Sequence, residues 1–148
     1  MTIDKIAIEN ANICSKNFSG NTSMYNPTGR RCFTVKLEPE VAEKLVDAGW
    51  NVKAKEPREE GDPVRYFLDV NVKYEKFPPT IKLVTSKGMT TLDEDTVGQL
   101  DGATVTTCDL IITPYCWEFN GRSGIKAYLK TGYFTIEEDE FAYKYNSL

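Results

Sequence analysis

"PYCWEFNGRSGIKAYLK", residues 114–130, carries the decision about the fold. Two strand-like runs flank Asn120-Gly121, and Asn-Gly suits a type I′ turn, which needs positive φ at both central residues. The sequence therefore predicts a tight hairpin between strands 103–119 and 122–136. A two-residue turn also fixes the register. Phe119 opposes Arg122, Trp117 opposes Gly124, Tyr115 opposes Lys126, Thr113 opposes Tyr128, and Ile111 opposes Lys130. Opposed residues share a face, and faces alternate along each strand. One face collects Leu110, Ile112, Ile125, Ala127 and Leu129, which belong on a core. The other collects Tyr115, Trp117, Phe119 and Tyr128 with Arg122, Lys126 and Lys130. Gly124 is expected to leave the indole face of Trp117 uncovered. Pro114 is expected to weaken the ladder, so that the tip projects as an arm.

The mixture on the second face has a physical use. Bases stack on aromatic rings for roughly 1–3 kcal/mol each, whatever the sequence. Interleaved Lys and Arg meet the phosphates beside them. Duplex DNA hides its base faces, so such a platform favours single strands. Packing of the same aromatics under the N-terminal loop, or against a second subunit of a homodimer, is the competing use.

Strand signals dominate the rest of the chain. Residues 3–14 open with a strand bent at Glu9-Asn10. Residues 15–30 read as a loop rich in Ser, Asn and Gly, whose Phe18 and Tyr25 either clamp a ligand strand beside Arg30 and Arg31 or cover the barrel end. "CFTVKL" alternates as a half-buried strand with Lys36 on its polar side. "PEVAEKLVDAGW" is a helix with Pro39 at its first position and Gly49 as its stop. "NVKAK" reads as a further short strand. Residues 64–75 alternate strictly, with Arg65, Phe67 and Lys73 on the polar face, where they extend the platform or, for the two cations, pair with Asp69 or Glu75 at the surface. A short strand over "TIKLVT" and a short helix within "TLDEDTVGQLDG", capped by Thr91 or Asp93, complete the order.

Strand, strand, inserted helix, strand, short helix, strand, strand is the order of a five-stranded Greek-key barrel of the OB-fold type. The first helix is an insertion in that scheme. The expected class is thus mainly β, an OB-fold-like barrel with one or two short helices and a protruding hairpin. A β-sandwich fits the same element order.

Composition sets the bounds. The chain has 148 residues, 41% hydrophobic and 27% charged, enough for one domain with a core. No apolar run approaches 18 residues and no signal peptide precedes the domain, so a cytoplasmic protein without membrane contact is expected. Histidine is absent, which removes the commonest general base and metal ligand. Cys14, Cys32, Cys108 and Cys116 lack the short spacing of a zinc site. Neither a cofactor nor a metal is expected, and no catalytic residue. Carboxylate–metal nuclease chemistry through Asp69, Asp93 and Asp109 lacks any motif spacing.

The net charge of −4 is uneven. Residues 137–148, "EEDEFAYKYNSL", carry four acids and one lysine, leaving the other 136 residues near neutral. The expected organisation is a nucleic-acid-binding domain over 1–136 and an acidic, aromatic tail over 137–148.

The chain also resembles the single-stranded DNA-binding proteins of tailed bacteriophages. The resemblance lies in "NFSG…GRRCFTVKL", "TLDEDTVGQLDGATV" and "ITPYCWEFNGRSGIKAYLKTGYFTI". It implies an OB-fold protein that coats and protects single-stranded DNA during replication or recombination. It also implies an acidic tail that contacts phage or host replication and recombination proteins. Carried over by position, Arg30, Lys36, Phe67, Trp117, Arg122, Lys126 and Tyr128 are the implied ligand contacts. The tail departs from the commonest pattern, since its acids are followed by Phe141, Tyr143 and Tyr145. The alternative of a different class is a phage protein-interaction factor, for anti-defence or assembly, using the same aromatic face.

Overall fold

The structure, a computed structural model, describes residues 5–20, 22, 24, 29–56, 59–75 and 78–137. Tyr25 and all of the tail beyond Glu137 lie outside the described residues. The described residues form eight strands and one α-helix: β1 (Ile6–Asn17), β2 (Arg31–Leu37), α1 (Pro39–Asp47), β3 (Val52–Lys55), β4 (Arg65–Val72), β5 (Thr80–Thr85), β6 (Gly88–Leu92), β7 (Val105–Phe119) and β8 (Arg122–Ile136). A 3-10 helix spans Val97–Asp101.

β1, β2, β4, β8 and β7 close into a barrel. Closure rests on a short parallel contact in which Val70 pairs with Ala127 and Asn71 with Tyr128. The order of strands, and the parallel seam between the third and fifth of them, are those of an OB-fold, as expected. β3 adds an outer strand to β4, and β5 with β6 extends β8 on the other side. β6 has no counterpart among the expected elements, and the expected second helix is a single 3-10 stretch. Asp93 organises the turn before it, accepting hydrogen bonds from Asp95 N and Thr96 N, each at 3.0 Å, and from Thr96 Oγ1.

The bend foreseen at Glu9-Asn10 is a register shift between Ile8 and Ala11, with Asn10 at φ 52° and its N–H donated to Asp109 Oδ1 at 2.9 Å. β1 then runs through Ser15, Lys16 and Asn17, residues expected in the loop. Phe18 is a plain correction. It is fully buried, stacked on Phe33 with centroids 5.3 Å apart and edge-on to Phe134 at 5.3 Å. Its position is fixed from far along the chain, because the Asp101 carboxylate accepts from Phe18 N at 2.7 Å and Ser19 N at 2.9 Å. A ring held there offers no face to a ligand. The core around it includes Val35, Leu68, Val70, Ile81, Leu110, Ile112 and Leu129.

Candidate nucleic-acid interface

The hairpin follows its predicted register from Phe119–Arg122 down to Ile112–Leu129. Asn120 and Gly121 both have positive φ, 52° and 76°, as the turn requires. Pairing stays in register through Pro114, opposite Ala127, so no break falls there. The break comes lower, where Ile111 pairs with Thr131 and Lys130 is the extra residue of a bulge. Ile125, Ala127, Leu129, Leu110 and Ile112 are buried, as the aliphatic face should be.

Trp117 lies down on its partner. A Cβ built on Gly124 would stand 2.8 Å from Trp117 Cζ2 and 2.9 Å from Cε2 and Nε1. One indole face is therefore seated on the glycine rather than left bare. The ring borders the cleft between hairpin and barrel, as do Ser123, Gly124, Ile125 and Lys126 from β8. Thr34, Lys53, Asp69, Asn71 and Arg30 come from the barrel side. At about 680 Å3 the cleft falls within the ~300–1,000 Å3 typical of ligand sites.

The cleft continues in both composition and space. It shares Arg30, Asn71 and Lys126 with a second hollow that adds Arg31, Lys73 and Tyr128. That hollow shares Tyr128 with a third, bordered by Tyr115, Lys130 and Pro78. Tyr115 and Tyr128 meet edge to face with centroids 6.0 Å apart. Trp117, Lys126, Tyr128, Tyr115 and Lys130 thus lie along one path, faced by Arg30, Arg31 and Lys73. Barrel cations here also make contacts within the protein. Arg31 donates to the Glu94 carbonyl at 3.1 Å and lies over the Tyr74 ring at 5.2 Å. Lys53 forms an ion pair with Asp69. Burial pushes the Tyr74 phenol up, with Arg31 opposing, and among the described residues its hydroxyl has no hydrogen-bond partner.

Other expected contacts fall elsewhere. Phe119 and Arg122 are exposed at the hairpin tip, beyond the cleft, with Phe119 71% exposed. Phe67 is buried, with Lys55 Nζ 5.1 Å and the Arg65 guanidinium 6.0 Å from its ring centroid. It is a seat for cations and not an open stacking surface. Lys36 opens onto a separate hollow beside β1 and α1. Lys53, Thr34, Asp69 and Asn71 were not singled out as ligand contacts by the sequence. Their only signal was the polar side of each alternating strand.

Asp69, Asp93 and Asp109 serve separate structural contacts, and among the described residues no three potential metal ligands gather. The cysteines are free: Cys116 is exposed, Cys14 and Cys32 half-buried and Cys108 buried.

A closed barrel with a parallel seam, and an aromatic-cationic path running from its long hairpin across the β2–β4 face, defines an OB-fold nucleic-acid-binding module. A family model described as "Putative phage ssDNA-binding domain" matches residues 1–148, and the chain belongs to that family. Among solved structures it is similar to a C-terminally truncated single-stranded DNA-binding protein from bacteriophage Enc34. The identity is 10%, over 92% of this chain and 88% of that one, with a TM-score of 0.60. The Enc34 protein in complex with ssDNA is similar at 11% identity, over 93% and 89% of the two chains, with a TM-score of 0.58. Likeness at such identity establishes the shared fold. No curated protein matches the chain by sequence.

Proposed function

We propose that this protein binds single-stranded DNA without strong sequence preference, coating and protecting exposed strands during phage replication or recombination in the host cytoplasm. The observation that carries the reading is the single path from Trp117 through Lys126 and Tyr128 to Tyr115 and Lys130, faced by barrel cations. Bases stack on the rings while phosphates run along the cations. The family membership and the shared fold of the Enc34 protein, one structure of which holds ssDNA, support it. The role is binding and not catalysis. The acidic segment 137–148 recruits replication or recombination proteins.

The test is titration of oligo-dT against intrinsic tryptophan fluorescence at two salt concentrations. Trp50 lines the same cleft but is only 4% exposed, whereas Trp117 is half-buried, so loss of the quenching in Trp117→Phe should show that it reports on the hairpin. Affinity should fall steeply as salt rises. An unchanged emission together with no gel retardation at low salt refutes the function.

A further inference from the structure

One side chain in the cleft opposes the electrostatics of a phosphate-binding surface. Asp69 projects from β4 into the cleft between barrel and hairpin, with its side chain 47% exposed. Thr34, its register partner on β2, donates Oγ1–H to Asp69 Oδ1 at 2.7 Å. Lys53 Nζ, from β3, donates to Oδ2. Burial acts to raise the Asp69 pKa, but hydrogen bonds from Lys53 and Thr34 and the charges of Lys53 and Arg30 prevail and hold it below the usual carboxylate range. The group is ionised at neutral pH and held in one orientation.

A phosphate arriving at this point would meet a fixed negative charge, and Lys53 would be shared with it. Phosphates are better served at the cations Arg30 and Lys126, which border the same cleft. A base edge meets Asp69 differently. Each carboxylate oxygen offers about two acceptor positions, and one on each is used, so one on each remains for a donor. Exocyclic amino groups are such donors, and a carboxylate accepting from cytosine N4 is an established pairing of side chain and base. Uracil and thymine carry a carbonyl oxygen at that position, which meets the carboxylate with like partial charge. Their N3–H lies between two such oxygens.

We propose that Asp69 reads base edges: it accepts a hydrogen bond from the exocyclic amino group of a base in the cleft, favours cytosine over uracil or thymine there, and turns the strand so that phosphates face Arg30 and Lys126. This rests on the single-strand reading and adds a modest preference to it, of the kind that sequence-tolerant proteins keep.

The test uses the full chain and labelled oligo-dC and oligo-dU of equal length, which differ at the 4-position of each base and in the proton on N3, followed by fluorescence anisotropy at pH 7.5. The wild type should bind oligo-dC about five-fold more tightly, near the lower end of single base-edge discrimination. Asp69→Asn, which keeps the shape and removes the charge, should bring the ratio within about two-fold, chiefly by strengthening oligo-dU. Equal affinity of the wild type for both polymers overturns the proposal without any variant. So does an Asp69→Asn protein that gains equally on both, since Asp69 would then only hold Lys53 back from phosphate. Failure of the wild type to bind either polymer overturns the single-strand reading itself, and this proposal with it.

Discussion

Gly124→Ala isolates the stacking platform from the rest of the molecule. The added Cβ would lie 2.8 Å from Trp117 Cζ2 and 2.9 Å from Nε1 and Cε2. Carbon atoms rest about 3.5–4.0 Å apart, so the indole must retreat by about 1 Å or rotate off the strand. The backbone tolerates alanine, because Gly124 is not among the residues at positive φ. Alanine is also better than glycine in a strand interior, so little stability is at stake. The loss falls on binding. If one base stacks on Trp117 for roughly 1–3 kcal/mol, complete removal of the ring weakens affinity about 5- to 150-fold. Displacement should reach at least the lower figure. Anisotropy of labelled oligo-dT at low salt measures it, with a thermal melt to show the fold intact and an emission shift to report the moved indole. In a Trp117→Ala background the same substitution should add nothing, which a double-mutant cycle reads directly. Wild-type affinity in Gly124→Ala, despite a shifted emission, would refute Trp117 as the stacking ring. Equal damage in the Trp117→Ala background would refute the proposed route through the indole.

Three further expectations rest on other parts of the structure. Lys126 borders two adjoining hollows, and Lys126→Ala should lower the slope of log affinity against log salt by about 0.7, the value of one single-strand phosphate contact. An unchanged slope would place it away from phosphate. Phe18→Ala should cost about 3–5 kcal/mol in denaturant unfolding, as for other buried phenylalanines, with the DNA affinity of the folded protein preserved. Selective loss of DNA binding at unchanged stability would return Phe18 to the interface. Burial, aided by the charge of Asp109, pushes the Cys108 thiol up to about 12, whereas Cys116 is exposed. A thiol reagent at neutral pH should therefore modify Cys116 in the native protein and reach Cys108 only on unfolding, because the thiolate is the reactive form. Mass spectrometry of the labelled protein distinguishes the two, and rapid native labelling of Cys108 would contradict its burial.

The sequence disclosed what is local and hid what is not. Asn120-Gly121 carries its turn in two residues, so eight cross-strand pairs could be read outward from it. The reading failed at Lys130 because a bulge adds one residue without any compositional mark. Phe18 stands among Asn, Ser and Gly and looks like a loop residue. Asp101, 83 residues away, is what draws its backbone into the barrel end. Phe67 broke a polar pattern and looked like an exposed ring. Arg65 stands two residues earlier on the same strand face, but Lys55 approaches from β3, whose pairing with β4 cannot be seen from its own short segment. The same holds for Lys53 and Asp69, which meet only because β3 lies beside β4.

Why the cleft lies where it does follows from the barrel's closure. The parallel seam between β4 and β8 is two residue pairs long, reinforced by Asn71 Nδ2 donating to the Ala127 carbonyl at 3.2 Å. Above it, residues 122–126 of β8 pair with β7 alone and leave β4 behind. A wedge opens between that edge and the outer face of β2, β3 and β4, and its two sides differ in chemistry. The hairpin side contributes Trp117 and Lys126, while the barrel side contributes Thr34, Lys53, Asp69 and Asn71. A longer seam would zip the hairpin onto the barrel and bury both. The short seam keeps a stacking ring opposite a row of hydrogen-bonding groups, an arrangement that suits bases with an aromatic face and a polar edge.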